Sequence, residues 1–283
     1  MSLSYSLNNG PFYILKLLIY SFLFYFRKLH TPSNILLLSL AVSDFLMGLL
    51  LMPAEILRSM TCWVLGDLMC SVYFFLTVNI TCASIGNIVL ISIDRYVAIC
   101  DPLHYSTRIT VARVKLSVCL CWFYSTFYCS LYTQEMLIEP GRYNSCYGEC
   151  VLVISDFAGM VDLILFFILP LSVIIVLYTR VFVVAVSQRS LNQTNKSELK
   201  AARTLGVLVV VFLSCYCPFY CYSLTDKNAV NDPAASSVIF IFYFNSCINP
   251  LIYALFYPWF RNAVKLIITL QIFKHNSCEA NIL

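Results

Sequence analysis

The stretch MVDLILFFILP, residues 160–170, is an apolar run that carries one acid, Asp162. In a water-soluble core that carboxylate would need a partner. In a lipid-embedded helix it is costly and, by default, a candidate for function. Composition decides which solvent applies. Of the 283 residues, 60% are hydrophobic and only 11% are charged. Soluble domains carry roughly 25% charged residues. This chain has too few polar side chains to coat a surface facing water, so its solvent is lipid.

A hydrocarbon core of ~30 Å takes about 20 apolar residues per helix. Seven such segments are predicted, over residues 12–26, 34–58, 68–99, 113–133, 154–183, 199–224 and 235–257. Lipid offers backbone groups no partners, so the spans are expected to be helical. No alternating pattern suggests a membrane barrel. The expected fold is all-α, a seven-transmembrane helix bundle forming one domain over residues 1–283. YPWFRNAVKLIITL, residues 257–270, has apolar residues at helical spacing with two cations. Its part 258–270 is predicted as an eighth, amphipathic helix on the inner membrane surface. Placing the amino terminus outside puts all but four of the 18 Lys and Arg residues at the cytoplasmic edge. The exceptions are Lys16, Arg58, Arg142 and Lys227. That bias sets the orientation in a plasma membrane. Segment 12–26 is short and interrupted by Lys16.

Fourteen cysteines are present, most of them inside apolar segments, where they read as small buried hydrophobes. Cys62, Cys70, Cys146 and Cys150 lie near segment ends and are the candidates for a disulfide. No catalytic triad, metal cluster or phosphate-binding loop is evident, so no enzyme is expected. No basic block with interleaved aromatics suggests nucleic acid. The absence of an internal repeat, and an odd number of spans, weigh against a transporter with Asp162 as an ion relay.

Further marks follow in order. They are LAVSDF with Asp44 (40–45), Cys70, Asp94-Arg95-Tyr96, Trp122, Pro170, Tyr178, FLSCYCPF with Pro218 (212–219), and NPLIY (249–253). In this order and spacing the chain resembles the rhodopsin-like G-protein-coupled receptors. Arg95 at an inner helix end can pair with Asp94 and reach Glu198 at the base of the sixth segment, a two-state element suited to a switch. The other expected switch positions are Tyr96, Tyr178, Tyr216, Pro218, Asn249, Pro250 and Tyr253. Tyr216 stands where the family usually has Trp. The resemblance also implies a disulfide between Cys70 and Cys150. It implies a sodium ion with water among Asp44, Ser84, Asn245, Ser246 and Asn249, the alternative being a purely structural polar cluster.

A narrower likeness lies in NSCINPLIYALFYPWF (245–260), supported by FRKLHTPSNILLLSLAVSDFLMGLL (26–50), CDPLHY (100–105) and KAARTLG (200–206). These look like the trace amine-associated receptors, over about residues 26–270. The resemblance implies a receptor for small amines, often olfactory, that raises cyclic AMP through a heterotrimeric G protein. The family's usual amine anchor is an Asp seven residues after the disulfide cysteine. Here that position is Thr77, and no acid lies between Asp67 and Asp94. Asp162 sits eight residues before Pro170, ~12 Å toward the outer face. A fish-type subgroup, in which the acid has moved to the fifth helix, is similar in this respect. Asp162 is therefore the expected ammonium anchor, with Thr77, Val78, Thr81, Phe219, Tyr220 and Tyr243 around it. Aromatic rings suit an ammonium through cation–π contact. Two alternatives stay open on the sequence, a receptor for a non-amine ligand and a receptor-like chain whose atypical first segment prevents signalling.

Overall fold

The computed structural model describes residues 31–60, 62–141, 148–190, 196–225 and 233–256. The expected segments 12–26 and 258–270 lie outside them, as does Cys146. Every regular element among the described residues is helical. The elements are α1 (Pro32–Leu46), α2 (Met52–Met60), α3 (Gly66–Cys100), α4 (Tyr105–Arg108), α5 (Val111–Tyr132), α6 (Gln134–Ile138), α7 (Asp156–Asp162), α8 (Leu169–Ser190), α9 (Lys196–Thr225) and α10 (Pro233–Phe256). α1 and α2 join through a π-helical turn, Met47–Leu51, and α7 and α8 through another, Leu163–Ile168.

Local sequence explains where these helices begin and widen. Thr31 caps α1 by accepting from the Asn34 N–H, with Pro32 at the first helical position. Thr110 caps α5 and Ser155 caps α7 in the same way. Each π turn lies just before or beside a proline, Pro53 or Pro170. A proline has no N–H to return to the carbonyl four residues earlier, so the ladder must yield there.

Continuous spans Pro32–Ser59, Gly66–Cys100, Val111–Tyr132 and Asp156–Val184 are long and apolar enough to cross a membrane, and shorter apolar stretches lie in α9 and α10. α3 is the central element, packed against α1, α5 and α8, while α9 pairs with α10. Gly86 of α3 meets the Cys121 thiol of α5 so closely that a side chain there would collide. Small residues allow such close approach between membrane helices. On α5 the residues Leu116, Leu120, Phe123, Phe127 and Leu131 form an exposed stripe at helical spacing. An apolar stripe of this length facing outward, on a helix long and apolar enough to cross a membrane, suits contact with lipid.

At one end of the bundle Cys70, opening α3, is disulfide-bonded to Cys150. The Trp63 N–H donates to the Gly148 carbonyl at 2.7 Å and ties the same strap to the α2–α3 turn. The strap continues through Val151–Ser155 into α7 and roofs the space between the helices. At the opposite end α3 closes on Asp94-Arg95-Tyr96.

Candidate functional site

Beneath the strap lies a cavity of about 680 Å³. Its walls come from α2, α3, the end of α5 at Tyr132, the strap, α7, the π turn that follows it, α9 and α10. The seven residues expected around a ligand, Asp162, Thr77, Val78, Thr81, Phe219, Tyr220 and Tyr243, all line it. Asp162 ends α7 and is half-buried. The Tyr128 hydroxyl donates to its Oδ1 at 3.2 Å and the Tyr220 hydroxyl to its Oδ2 at 3.3 Å. Both distances exceed the usual ~2.7–2.8 Å for O–H···O bonds. No cation faces this carboxylate among the described residues.

Aromatic rings extend from that acid along the cavity. Phe167 stacks on Tyr220 with centroids 4.5 Å apart, and Phe166 packs on Tyr128 at the same separation. Phe219 meets Phe242 at 4.8 Å, and Phe242 meets the buried Tyr216 at 4.6 Å. Tyr216 also stacks on Phe212 at 4.4 Å, so an unbroken aromatic series runs from the cavity into the core of α9. Thr77 spends its hydroxyl on the Tyr73 carbonyl at 2.8 Å. The Thr81 hydroxyl, buried in the wall, has no hydrogen-bond partner among the described residues.

The structure adds a polar cluster that the sequence reading passed over. Glu55, 1% exposed, accepts from Arg58 Nε at 3.0 Å and from Nη2 at 2.7 Å. The Tyr73 hydroxyl also donates to Glu55, and it lies 3.0 Å from the Tyr243 hydroxyl. Glu55, Arg58 and Tyr73 line the same cavity as Asp162. The signal was an acid and a base three residues apart in an apolar segment, a spacing that puts both on one helix face.

A second polar cluster lies deeper. Asp44 is 1% exposed and receives the Asn249 amide on both oxygens, at 3.0 and 3.1 Å. The same amide lies 3.4 Å from Asn245 Oδ1. Ser84 and Ser246 are buried as well, and Ser84 Oγ finds no partner at hydrogen-bonding geometry among the described residues. One carboxylate with an orphaned hydroxyl and amide oxygens suits a small hard cation, which prefers oxygen donors. These five residues are the ones that would hold sodium.

At the Arg95 end, the guanidinium bonds Asp94 from Nε at 3.0 Å and also from Nη2. Ser33 donates to Asp94 Oδ2 at 2.9 Å and accepts from Arg95, and the Tyr105 hydroxyl donates to Asp94 Oδ1 at 2.9 Å. Ser33 and Tyr105 were not among the expected switch residues; they come from distant turns and only the fold unites them. Tyr96 packs beside the buried pair Ile99–Val181. Tyr178 places its hydroxyl against Gly206 of α9. Pro218 lies inside α9. The side chains of Glu198, Pro250 and Tyr253 fall outside the described residues, so the expected Arg95–Glu198 pair does too. Beyond α3, His104 lies 2.7 Å from Asp101 and holds that exposed carboxyl below its ordinary range, chiefly through their hydrogen bond.

Residues 16–253 match the family model of the seven-transmembrane receptors of the rhodopsin family. With its helical bundle, roofed cavity and Asp94–Arg95 closure, the chain is a member of that family: a multi-pass plasma-membrane receptor that couples to G proteins, and not an enzyme. It is 37% identical over 281 residues to trace amine-associated receptor 13c of Danio rerio, covering 91% of this chain and 82% of that one. It is 35% identical over 282 residues to trace amine-associated receptor 1 of Mus musculus, covering 91% and 85%. Against trace amine-associated receptor 5 of Homo sapiens it is 39% identical over 267 residues, covering 88% and 79%. Within the rhodopsin family the chain belongs to the trace amine-associated receptors.

Proposed function

We propose that this receptor detects a small cationic amine whose ammonium is held by Asp162. The observation that carries the reading is an acid inside a membrane-embedded cavity, met among the described residues by two neutral hydroxyls at long range. A carboxylate in such a setting gains most from a cation, because the low dielectric strengthens the pair while each charge alone is costly to desolvate. Phe166, Phe219 and Phe242 give the amine's carbon skeleton an apolar bed, and their ring faces attract the ammonium. The names of the relatives, which carry the words trace amine, support the same ligand class. The position of the acid, on the fifth span rather than at Thr77, is the feature shared with the fish-type subgroup.

Binding shifts the population toward a conformation with its Arg95 end open. In the resting arrangement Arg95 is engaged by Asp94 and Ser33. The aromatic series from Phe219 through Phe242 to Tyr216 gives ligand bulk a mechanical route into α9. The disulfide end faces outside with the amino terminus, and the Arg95 end meets a heterotrimeric G protein that raises cyclic AMP. Asp44, Ser84, Asn245, Ser246 and Asn249 would hold a sodium ion, which would supply a positive charge to the buried Asp44 carboxylate.

The test is amine-evoked cyclic AMP in cells expressing the receptor or Asp162→Asn, with surface staining of both. The expected result is a response to a set of amines that Asp162→Asn abolishes at equal surface level. An unchanged response in Asp162→Asn overturns the anchor. Stronger responses to neutral or acidic odorants than to any amine overturn the ligand class.

A further inference from the structure

The half-buried Asp162 and the buried Glu55 line the same cavity, and they differ in a way that limits which amines fit. Asp162 meets neutral hydroxyls, whereas Glu55 is already held by a cation of this chain. Arg58 approaches Glu55 through two different nitrogens, and the Tyr73 hydroxyl takes part in the same cluster. Glu55 and Arg58 are 1% and 7% exposed at their side chains, so water does little to loosen the pair. They sit three residues apart on α2, so the pair persists through movements between helices.

We propose that Arg58 occupies the position a second ligand ammonium would take, making the receptor selective for monoamines over α,ω-diamines. The inference rests on Asp162 holding the first ammonium. Along α3 the cavity reaches from Tyr73 to Thr81, eight residues or ~12 Å, so an extended diamine anchored at Asp162 has room to bring its far end toward Glu55. There it meets a closed ion pair of zero net charge. To stay, its second ammonium must either expel a guanidinium with several donors or remain unpaired in a low-dielectric space, and a lone buried charge is costly. A neutral polar tail meets no such barrier: the Tyr73 and Tyr243 hydroxyls, 3.0 Å apart, offer it hydrogen bonds. The ligand class is thus a monoamine whose far end is apolar or carries a neutral hydroxyl. Asp156 also lines the cavity, but it is solvent-exposed, where a charge pair is worth little.

The test compares cyclic AMP evoked by n-hexylamine with that evoked by hexamethylenediamine, and n-octylamine with octamethylenediamine. The receptors are the unaltered chain, Arg58→Gln, Glu55→Gln/Arg58→Gln and Asp156→Asn. The unaltered receptor is expected to favour the monoamine of each pair. Arg58→Gln, which leaves Glu55 without its cation, is expected to move the ratio of half-maximal concentrations toward the diamine by about tenfold or more. Adding Glu55→Gln is expected to cancel that gain. Should Arg58→Gln be retained inside the cell, diamine in the culture medium is expected to raise its surface level more than monoamine does, since a ligand that binds the folded state stabilises it. Three results overturn the proposal: a diamine preference in the unaltered receptor, no gain in either signal or surface level for Arg58→Gln, or a diamine response that depends on Asp156 instead. Failure of the Asp162 anchor is read separately, as a monoamine response that survives Asp162→Asn.

Discussion

Gly206 of α9 lies against the Tyr178 hydroxyl, so even the smallest side chain placed there would press on it. A methyl group added there would stand 2.5 Å from the Tyr178 hydroxyl oxygen, 3.1 Å from Cζ and 3.4 Å from Cε2. The hydroxyl must retreat from 2.5 Å to the 3.4 Å of ordinary contact. It stands at the far end of a ring that can swing. A full 30° departure from a rotamer costs about 0.5–1.5 kcal/mol, and this smaller swing costs about 1 kcal/mol at most. Alanine meanwhile returns about 1 kcal/mol of helix propensity relative to glycine in any state with α9 formed. Folding and surface level should therefore hold, while the arrangement with Tyr178 against α9 loses ground to its alternative. If the arrangement in which Asp94 and Ser33 engage Arg95 is the resting state proposed for this receptor, the displaced population is the resting one. A bias of about 1 kcal/mol changes an equilibrium about fivefold. Gly206→Ala should raise ligand-free cyclic AMP roughly two- to fivefold at unchanged surface staining. The same substitution in a Tyr178→Ala background should raise it no further. An unchanged basal signal, or a rise that persists without the Tyr178 ring, would refute the reasoning.

Three further outcomes are expected. Tyr128→Phe and Tyr220→Phe each remove one long hydrogen bond from Asp162, worth about 1 kcal/mol, so each should raise the half-maximal amine concentration roughly fivefold; the double variant should fall short of the product because both act on one carboxylate, and unchanged dose–response curves would count against the anchor geometry. Cys150→Ser opens an 80-residue loop, a loss of about 4.5 kcal/mol in chain-entropy terms, and should lower surface staining sharply while the residual receptor responds only at higher amine concentration. Replacing extracellular sodium by N-methylglucamine should change amine potency and Asp44→Asn should abolish that change; a variant as sodium-sensitive as the unaltered receptor would remove the ion from the Asp44 cluster.

Much of the bundle is legible in the sequence because lipid simplifies the problem. The segments expected at 68–99 and 113–133 compare with helices at Gly66–Cys100 and Val111–Tyr132, since a run of apolar residues in that solvent has only one way to satisfy its backbone. Asp162 stood out for the same reason, as the one charge in its run. What the sequence hid was pairing. Arg58 read as an exception to the inner-edge bias, although its partner Glu55 lay three residues away on the same face. Tyr128 had no distinguishing mark among 19 tyrosines; only the approach of α5 to α7 brings its hydroxyl to Asp162. Ser33 and Tyr105 are 72 residues apart, and no local period links them to Asp94. The two π turns were likewise invisible, because proline announces a break in the ladder without stating how the break is absorbed.

The π turn at Leu163–Ile168 holds a surplus residue between Asp162 and Pro170. An α-helix advances by about 100° per residue, so that surplus sets the azimuth of everything above it relative to everything below. The wide turn absorbs that surplus; winding the same residues as a regular ladder would swing Asp162 through about a quarter of a circle, toward a neighbouring helix or the lipid. Deleting one residue while the turn closes to a regular ladder would leave Asp162 near its present azimuth. The turn therefore works as an indexing collar: the direction in which the acid points depends on how the backbone beneath it is wound, with none of the side chains that line the cavity replaced.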